Sequence, residues 1–188
     1  MCLKGNSLEK FPWEGVSTLS GLSINISKLS EGVHHHSLSA KPDEIGLDGR
    51  FQTTVHVEAT VEKTSRQLLV QSTLHCTGTF ACDRCLDEFS RDIDVGFSIV
   101  YIQGQPAPGE DVEDQPEVQY LSPDTNIIDL GEDVRQYIVL ALPLKMLCKK
   151  DCAGLCPVCG TNRNKSKCSC RVEETDPRWA DLKRLLNN

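Results

Sequence analysis

Six of the ten cysteines in this chain fall within the 23 residues from Cys148 to Cys170. That stretch is rich in Lys, Asn, Gly and Cys and has almost nothing apolar to bury, so a hydrophobic core cannot be what folds it. Cys156-Pro157-Val158-Cys159-Gly160 places two thiols where both can converge on one tetrahedral ion. Its glycine permits the tight turn that aims backbone N–H groups at sulfur. A disulfide scaffold would spread its cysteines along the chain. Here the first 147 residues carry only four, and the opening MCLKGNSLEKFPWEG lacks the apolar run of an export signal. The expectation is a reducing, cytoplasmic setting and a zinc module.

Cys148, Cys152, Cys156, Cys159, Cys168 and Cys170 are six candidates for four places. The preferred set is Cys152, Cys156, Cys159 and Cys170. Four sulfurs close a site, and no His follows Cys148, so the expected ion is structural rather than catalytic. Cys82-Asp83-Arg84-Cys85 leaves two readings open. It is either a second knuckle that joins Cys156 and Cys159, or a structural turn with a buried Cys and an exposed Arg84. A redox pair of the thioredoxin kind needs a helix N-terminus, whereas this motif falls between two strand patterns.

The fold is expected to be α+β: an antiparallel β-meander, or a partly closed barrel, covered by a helix. Val55, Val57, Ala59 and Val61 alternate with His56, Glu58, Thr60 and Glu62, as in a half-buried strand. Leu68, Val70, Leu74, Cys76 and Phe80 follow a polar break. Ile93, Val95, Phe97, Ile99 and Tyr101 then repeat the alternation after a turn at 83–88. One face of Val, Ile and Phe cannot stay wet, so something must cover it. Ser23–Leu29 reads as a further strand, while 31–50, with its Gly, Ser, Pro and three histidines, reads as a loop.

The organisation expected is an N-terminal segment (1–20), a β domain (21–102), an acidic connector (103–128), a covering helix (129–144), and a cysteine-rich module with a short terminal helix (145–188). Residues 103–133 hold nine acids and no base. The helix should start near Asp129, with Glu132 and Asp133 favouring its positive end. Val134, Ile138, Ala141 and Leu142 form its apolar stripe, and Pro143 stops it. Trp179, Leu182, Leu185 and Leu186 follow Asp176-Pro177 as the apolar edge of the last helix.

The chain's 188 residues and net charge of −7 argue against a protein that coats nucleic acid over its whole surface. The local balance is different. Lys145, Lys149, Lys150, Arg163, Lys165, Lys167 and Arg171 face a single acid, Asp151, a surplus of +6. One zinc on four thiolates lowers it to +4, enough to attract phosphates. No stretch approaches the roughly 20 apolar residues of a membrane span. No nucleophile–base pair, phosphate loop or fixed carboxylate pair is evident, so neither an enzyme nor a small-molecule substrate is expected.

Cys82-Asp-Arg-Cys-Leu86, Leu140-Ala-Leu-Pro-Leu144, Leu147-Cys-Lys-Lys-Asp-Cys-Ala-Gly-Leu-Cys-Pro-Val-Cys-Gly-Thr-Asn162, Cys168-Ser-Cys170 and Asp176-Pro-Arg178 together resemble the YceD family over residues 20–187. Arg163 departs from the Leu usual there. The resemblance implies a factor for accumulation of 23S ribosomal RNA, in processing or large-subunit assembly, without known catalytic activity. Its partner is then rRNA or a pre-ribosomal particle, and the local basic surplus nominates Lys149, Lys150, Arg163, Lys165, Lys167 and Arg171 as the contacts. The alternatives are an adaptor that docks on a ribosomal protein or processing nuclease, and a sensor that releases zinc on thiol oxidation.

Overall fold

The computed structural model describes residues 20–106 and 117–170. The expectations for the N-terminal segment, the middle of the acidic connector, Arg171 and the terminal helix lie outside the described residues.

Among the described residues, seven strands and one helix follow in order: β1 (Ser23–Asn25), β2 (Gly32–Ala40), β3 (Val55–Lys63), β4 (Gln67–Ala81), β5 (Glu88–Gln103), β6 (Val118–Leu121), β7 (Ile127–Asp129) and α1 (Gly131–Ala141). A single 3-10 turn, Pro42–Ile45, follows β2. The main sheet has the order β2-β3-β4-β5-β6, while β1 pairs with β7 in a separate two-stranded ribbon. The main sheet is open rather than a closed barrel, with β2 and β6 at its edges. Pairing is antiparallel except at β6, which runs parallel to β5.

The period-2 alternation sets the register. Val57 faces Leu74, Val61 faces Val70, and Ser72 faces Phe97. All of them point to one buried side, against Val134 and Ile138 of α1, Ile24 and Ile128 of the ribbon, and Leu22 just before it. The helix is shorter than its sequence stripe suggests: Val134 and Ile138 are buried, whereas Ala141 is exposed. Asp129 sits just before α1, and its Oδ1 accepts the Gly131 N–H at 2.9 Å, meeting one donor that a helix start leaves open. Its other contacts, with the Ser20 N–H and hydroxyl, tie the entry of β1 to the exit of β7.

Three strands lie where loop or connector was expected. Gly32–Ala40 pairs along its whole length with Val55–Lys63, with His34, His36 and Leu38 half-buried on the core side. Imidazole sits on a half-buried pleat at little cost, but a His-Ser-rich run carries too little hydrophobic contrast to announce alternation. Val118–Leu121, inside the expected connector, and Ile127–Asp129, across its end, complete the sheet and the ribbon.

Asp133 lies under β5 and β6, where Gln119 Nε2 donates to Oδ1 at 2.9 Å. Burial raises its carboxyl above the ordinary range, outweighing the lowering by the Gln119 and Tyr101 hydrogen bonds. The folded chain therefore holds this proton more tightly than the unfolded chain. That contribution is complete below the unfolded carboxylate range and is lost as pH rises through the folded value. Asp133→Asn should accordingly raise the thermal midpoint at neutral pH. The gain should shrink as pH falls toward about 4, where unfolded aspartate protonates. Melting curves of both proteins across that range check it.

Candidate metal centres

β4 and β5 are the longest strands, and they project a hairpin whose tip is Cys82-Asp83-Arg84-Cys85-Leu86. The turn closes through Leu86 N–H to Cys82 O at 2.8 Å and Cys82 N–H to Asp87 O at 2.9 Å. Leu86 takes φ +60 to let the chain turn back. The second knuckle has the same closure, Gly160 N–H to Cys156 O at 2.9 Å, with Gly160 at φ +71. Glycine fills that position at no steric cost, whereas Leu86 bears about 1–2 kcal/mol of strain.

The chain after α1 folds onto the hairpin tip. Asp83 N–H donates to Met146 O at 2.8 Å, and Met146 N–H returns to Asp83 Oδ2 at 2.6 Å. Arg84 Nη1 donates to Cys152 O at 3.0 Å, and Leu155 N–H donates to Arg84 O at 2.9 Å. Asp87 takes Asn162 Nδ2 and Lys165 Nζ, each at 2.8 Å. Lys165 and Asn162 hold that carboxyl below its usual range, although burial opposes them. Gly154 is required twice over. Its φ is +70, and a Cβ there would stand 3.0 Å from Arg84 O. Gly154→Ala should therefore loosen the tail from the tip, with a strain of about 1–2 kcal/mol and a crowded carbonyl. Faster amide exchange at Leu155 and Arg163, with the sheet unchanged, would register it.

This docking assembles two groups of four thiols. Cys82, Cys85, Cys148 and Cys152 form the first, and Cys156, Cys159, Cys168 and Cys170 the second. Within each, all sulfurs lie within 4.8 Å of one another, and each group can hold a metal ion. The preferred set of Cys152, Cys156, Cys159 and Cys170 is thus divided: Cys152 belongs to the first group and the other three to the second. The hairpin knuckle, expected either to join Cys156 and Cys159 or to stand alone, meets Cys148 and Cys152 instead. Arg84 is exposed, yet its guanidinium is engaged by Cys152 O.

The groups differ in exposure. Cys82, Cys85 and Cys152 are buried, and Cys148 is half-buried. In the second group Cys159 is exposed, Cys168 and Cys170 are half-buried, and only Cys156 is buried. Burial pushes the Cys82 thiol up, but N–H groups of Cys148, Arg84 and Cys85 outweigh it and bring it down to about 6. Burial first, and its thiol neighbours next, push Cys148 up to about 12. In the second group the Thr161 hydroxyl and N–H lead in bringing Cys159 down to about 6, while Cys159 itself leads in pushing Cys170 up to about 12. Each group thus stabilises some thiolate and resists more. Like charges this close do not all ionise without a cation among them. Asn164 Nδ2, 3.2 Å from Cys152 Sγ, is a donor that sequence reasoning did not single out.

The basic residues divide as well. Lys149, Lys150, Arg163 and Lys167 are exposed and make no ion pair among the described residues. Lys165 is paired with Asp87 and serves as a fastener. No helix among the described residues is long and apolar enough to cross a membrane.

The chain is 33% identical over 126 residues to an uncharacterized protein of Mycobacterium tuberculosis, covering 67% of this chain and 59% of that one. It is 24% identical over 188 residues to the large ribosomal RNA subunit accumulation protein YCED homolog 1, chloroplastic, of Arabidopsis thaliana, covering 86% of this chain and 59% of that protein. An uncharacterized Mycobacterium leprae protein is 28% identical over 138 residues, covering 70% of this chain and 59% of its own length. The chain thus spans under two thirds of the length of these relatives. No solved structure matches. The family profile for the large ribosomal RNA subunit accumulation protein YceD matches residues 70–186, which take in the hairpin tip and every cysteine of both groups, and the chain belongs to that family.

Proposed function

We propose that this chain is a non-enzymatic factor in the accumulation of 23S ribosomal RNA, acting during processing or assembly of the large subunit. Its cysteine-rich end, organised by two zinc ions, contacts rRNA or a pre-ribosomal particle. Family membership supports the ribosomal role. The observation that carries the RNA reading is the docked loop system. It fixes Lys149, Lys150, Arg163 and Lys167 on one rigid end of the molecule, exposed and without acidic partners among the described residues.

Zinc suits the sulfur positions. Cys82 Sγ to Cys152 Sγ and Cys85 Sγ to Cys148 Sγ are both 3.7 Å. A tetrahedron of sulfurs each 2.3 Å from zinc has an edge of about 3.8 Å. When bound, zinc supplies cross-linking and charge compensation, and four sulfurs leave it no open position for chemistry.

Two such centres change the electrostatics. Eight thiolates with two divalent ions carry −4, which takes the local surplus from +6 to +2. RNA affinity should therefore be moderate and confined to the exposed side chains. Filter binding of rRNA fragments to the metal-loaded protein tests this across a salt series. Binding should weaken as salt rises. Lys149→Gln with Lys150→Gln should reduce the log–log slope by about 0.7 for each single-strand phosphate that is no longer neutralised. A loaded protein that binds neither rRNA nor assembly intermediates at low salt sinks the proposal. The same reduced surplus favours the adaptor as second reading. Crosslinking in assembling particles separates the two, because an adaptor gives protein adducts and leaves RNA unmarked.

A further inference from the structure

The side of the main sheet that faces away from the core is uncovered among the described residues. Three register rows cross it: His56–His75–Asp94, Glu58–Thr73–Gly96 and Thr60–Gln71–Ser98. Two adjacent cavities of about 510 and 320 Å³ lie over these rows and share Glu58, Thr73 and Gly96 in their walls. No Lys or Arg occupies any outward position of β3 from His56 to Glu62, or of the facing stretches Leu69–Thr77 and Asp92–Val100.

Gly96 opens the trough. Its backbone does not demand glycine, and an added Cβ would meet nothing nearer than Ser72 O at 3.9 Å. The missing side chain is therefore space rather than conformation. Tyr137 of α1, whose ring stacks at 4.5 Å on the core-side Phe97, also lines the larger cavity. Glu117 stands in the same wall, with no side-chain partner among the described residues. Glu58 accepts Ser37 Oγ on one carboxylate oxygen, and the other has no partner among the described residues.

We propose that this trough docks an extended, arginine-bearing segment of a basic protein. Two carboxylates and an aromatic ring around one cavity match a guanidinium, which pairs with carboxylates in a fork and stacks on aromatic faces. The neighbouring cavity, where Asp94 is paired with His75 at 2.7 Å, lets the segment run on across the same rows. Thr73 lies eight residues along β4 from Ala81, so the trough is about 26 Å from the cysteine-bearing tip. Its occupant is independent of what the tip binds.

The test uses the metal-loaded full chain and a short labelled peptide of alternating arginine and glycine, followed by fluorescence anisotropy at low and high salt. The expected result is salt-sensitive binding. Glu58→Gln combined with Glu117→Gln should weaken it at least about tenfold. Gly96→Gln, which fills the trough without touching charge, should do the same. Lys149→Gln with Lys150→Gln should leave peptide binding intact, which separates this site from the RNA reading. Thermal melts show that each variant is folded. The proposal is overturned if the parent chain does not bind the peptide, if both trough variants bind it as the parent does, or if the lysine variant abolishes it.

Discussion

Cys85→Ser combined with Cys148→Ser should release residues 145–170 from the hairpin tip while leaving the sheet folded. These two residues face each other across the first thiol group, with their sulfurs 3.7 Å apart. The links that remain, such as Arg84 to Cys152 O and Asp87 to Asn162 and Lys165, are hydrogen bonds and one ion pair with solvent at hand. Water competes for each of them, so each is individually weak. A thiolate-bound zinc contributes roughly 10–16 kcal/mol in apparent terms. The ion therefore dominates, and its loss should raise amide exchange throughout the tail by orders of magnitude. Native mass spectrometry should then count one ion instead of two. Cys159→Ser combined with Cys170→Ser should also leave one ion, but with the tail still docked. A freshly purified parent chain that holds no ion, yet protects its tail equally well, would refute both the zinc assignment and this ranking.

The second large effect lies on the other side of the molecule. Ile138→Ala should lower unfolding stability by about 2–5 kcal/mol, the usual range for emptying a large aliphatic site. Ile138 is 0% exposed and is one of two buried side chains that α1 lays on the sheet. Domains of this kind have about 5–15 kcal/mol in total, so one substitution removes a substantial fraction. Urea melts followed by far-ultraviolet dichroism read the loss. A change below about 1 kcal/mol would mean that the helix contributes little to the sheet's cover.

Much of the sheet was legible because its residues obey a local rule. Val55 to Val61 and Ile93 to Tyr101 alternate so strongly that strand, face and buried set follow from the pattern, and Pro143 marks the end of α1. Gly32–Ala40 escaped because histidine and serine blur the contrast between faces. The parallel pairing of Val118–Leu121 beside β5 is a tertiary event that a four-residue string does not announce. The cysteines show the same division. Knuckle spacing identified which residues could ligate, since two thiols and a tight turn are local. How they group was not local. Cys82 meets Cys152 across 70 positions, so six clustered candidates looked like an excess over one site when they were six parts of two. The fasteners Asp87, Asn162 and Asn164 went unnoticed for the same reason, because a carboxylate or an amide in a loop gives no sign of a partner so far along the chain.

The first thiol group also sets a timetable for the chain's own synthesis. Cys85 and Cys148 are separated by 63 positions. At about 5–20 residues per second, translation takes roughly 3–13 seconds to travel from one to the other. Throughout that interval the growing hairpin presents two uncapped sulfurs to oxidants and stray cations. Locking the tail therefore lags the hairpin by that interval, and a nascent chain stalled before Cys152 would have its β4–β5 arm without the bolt that secures it.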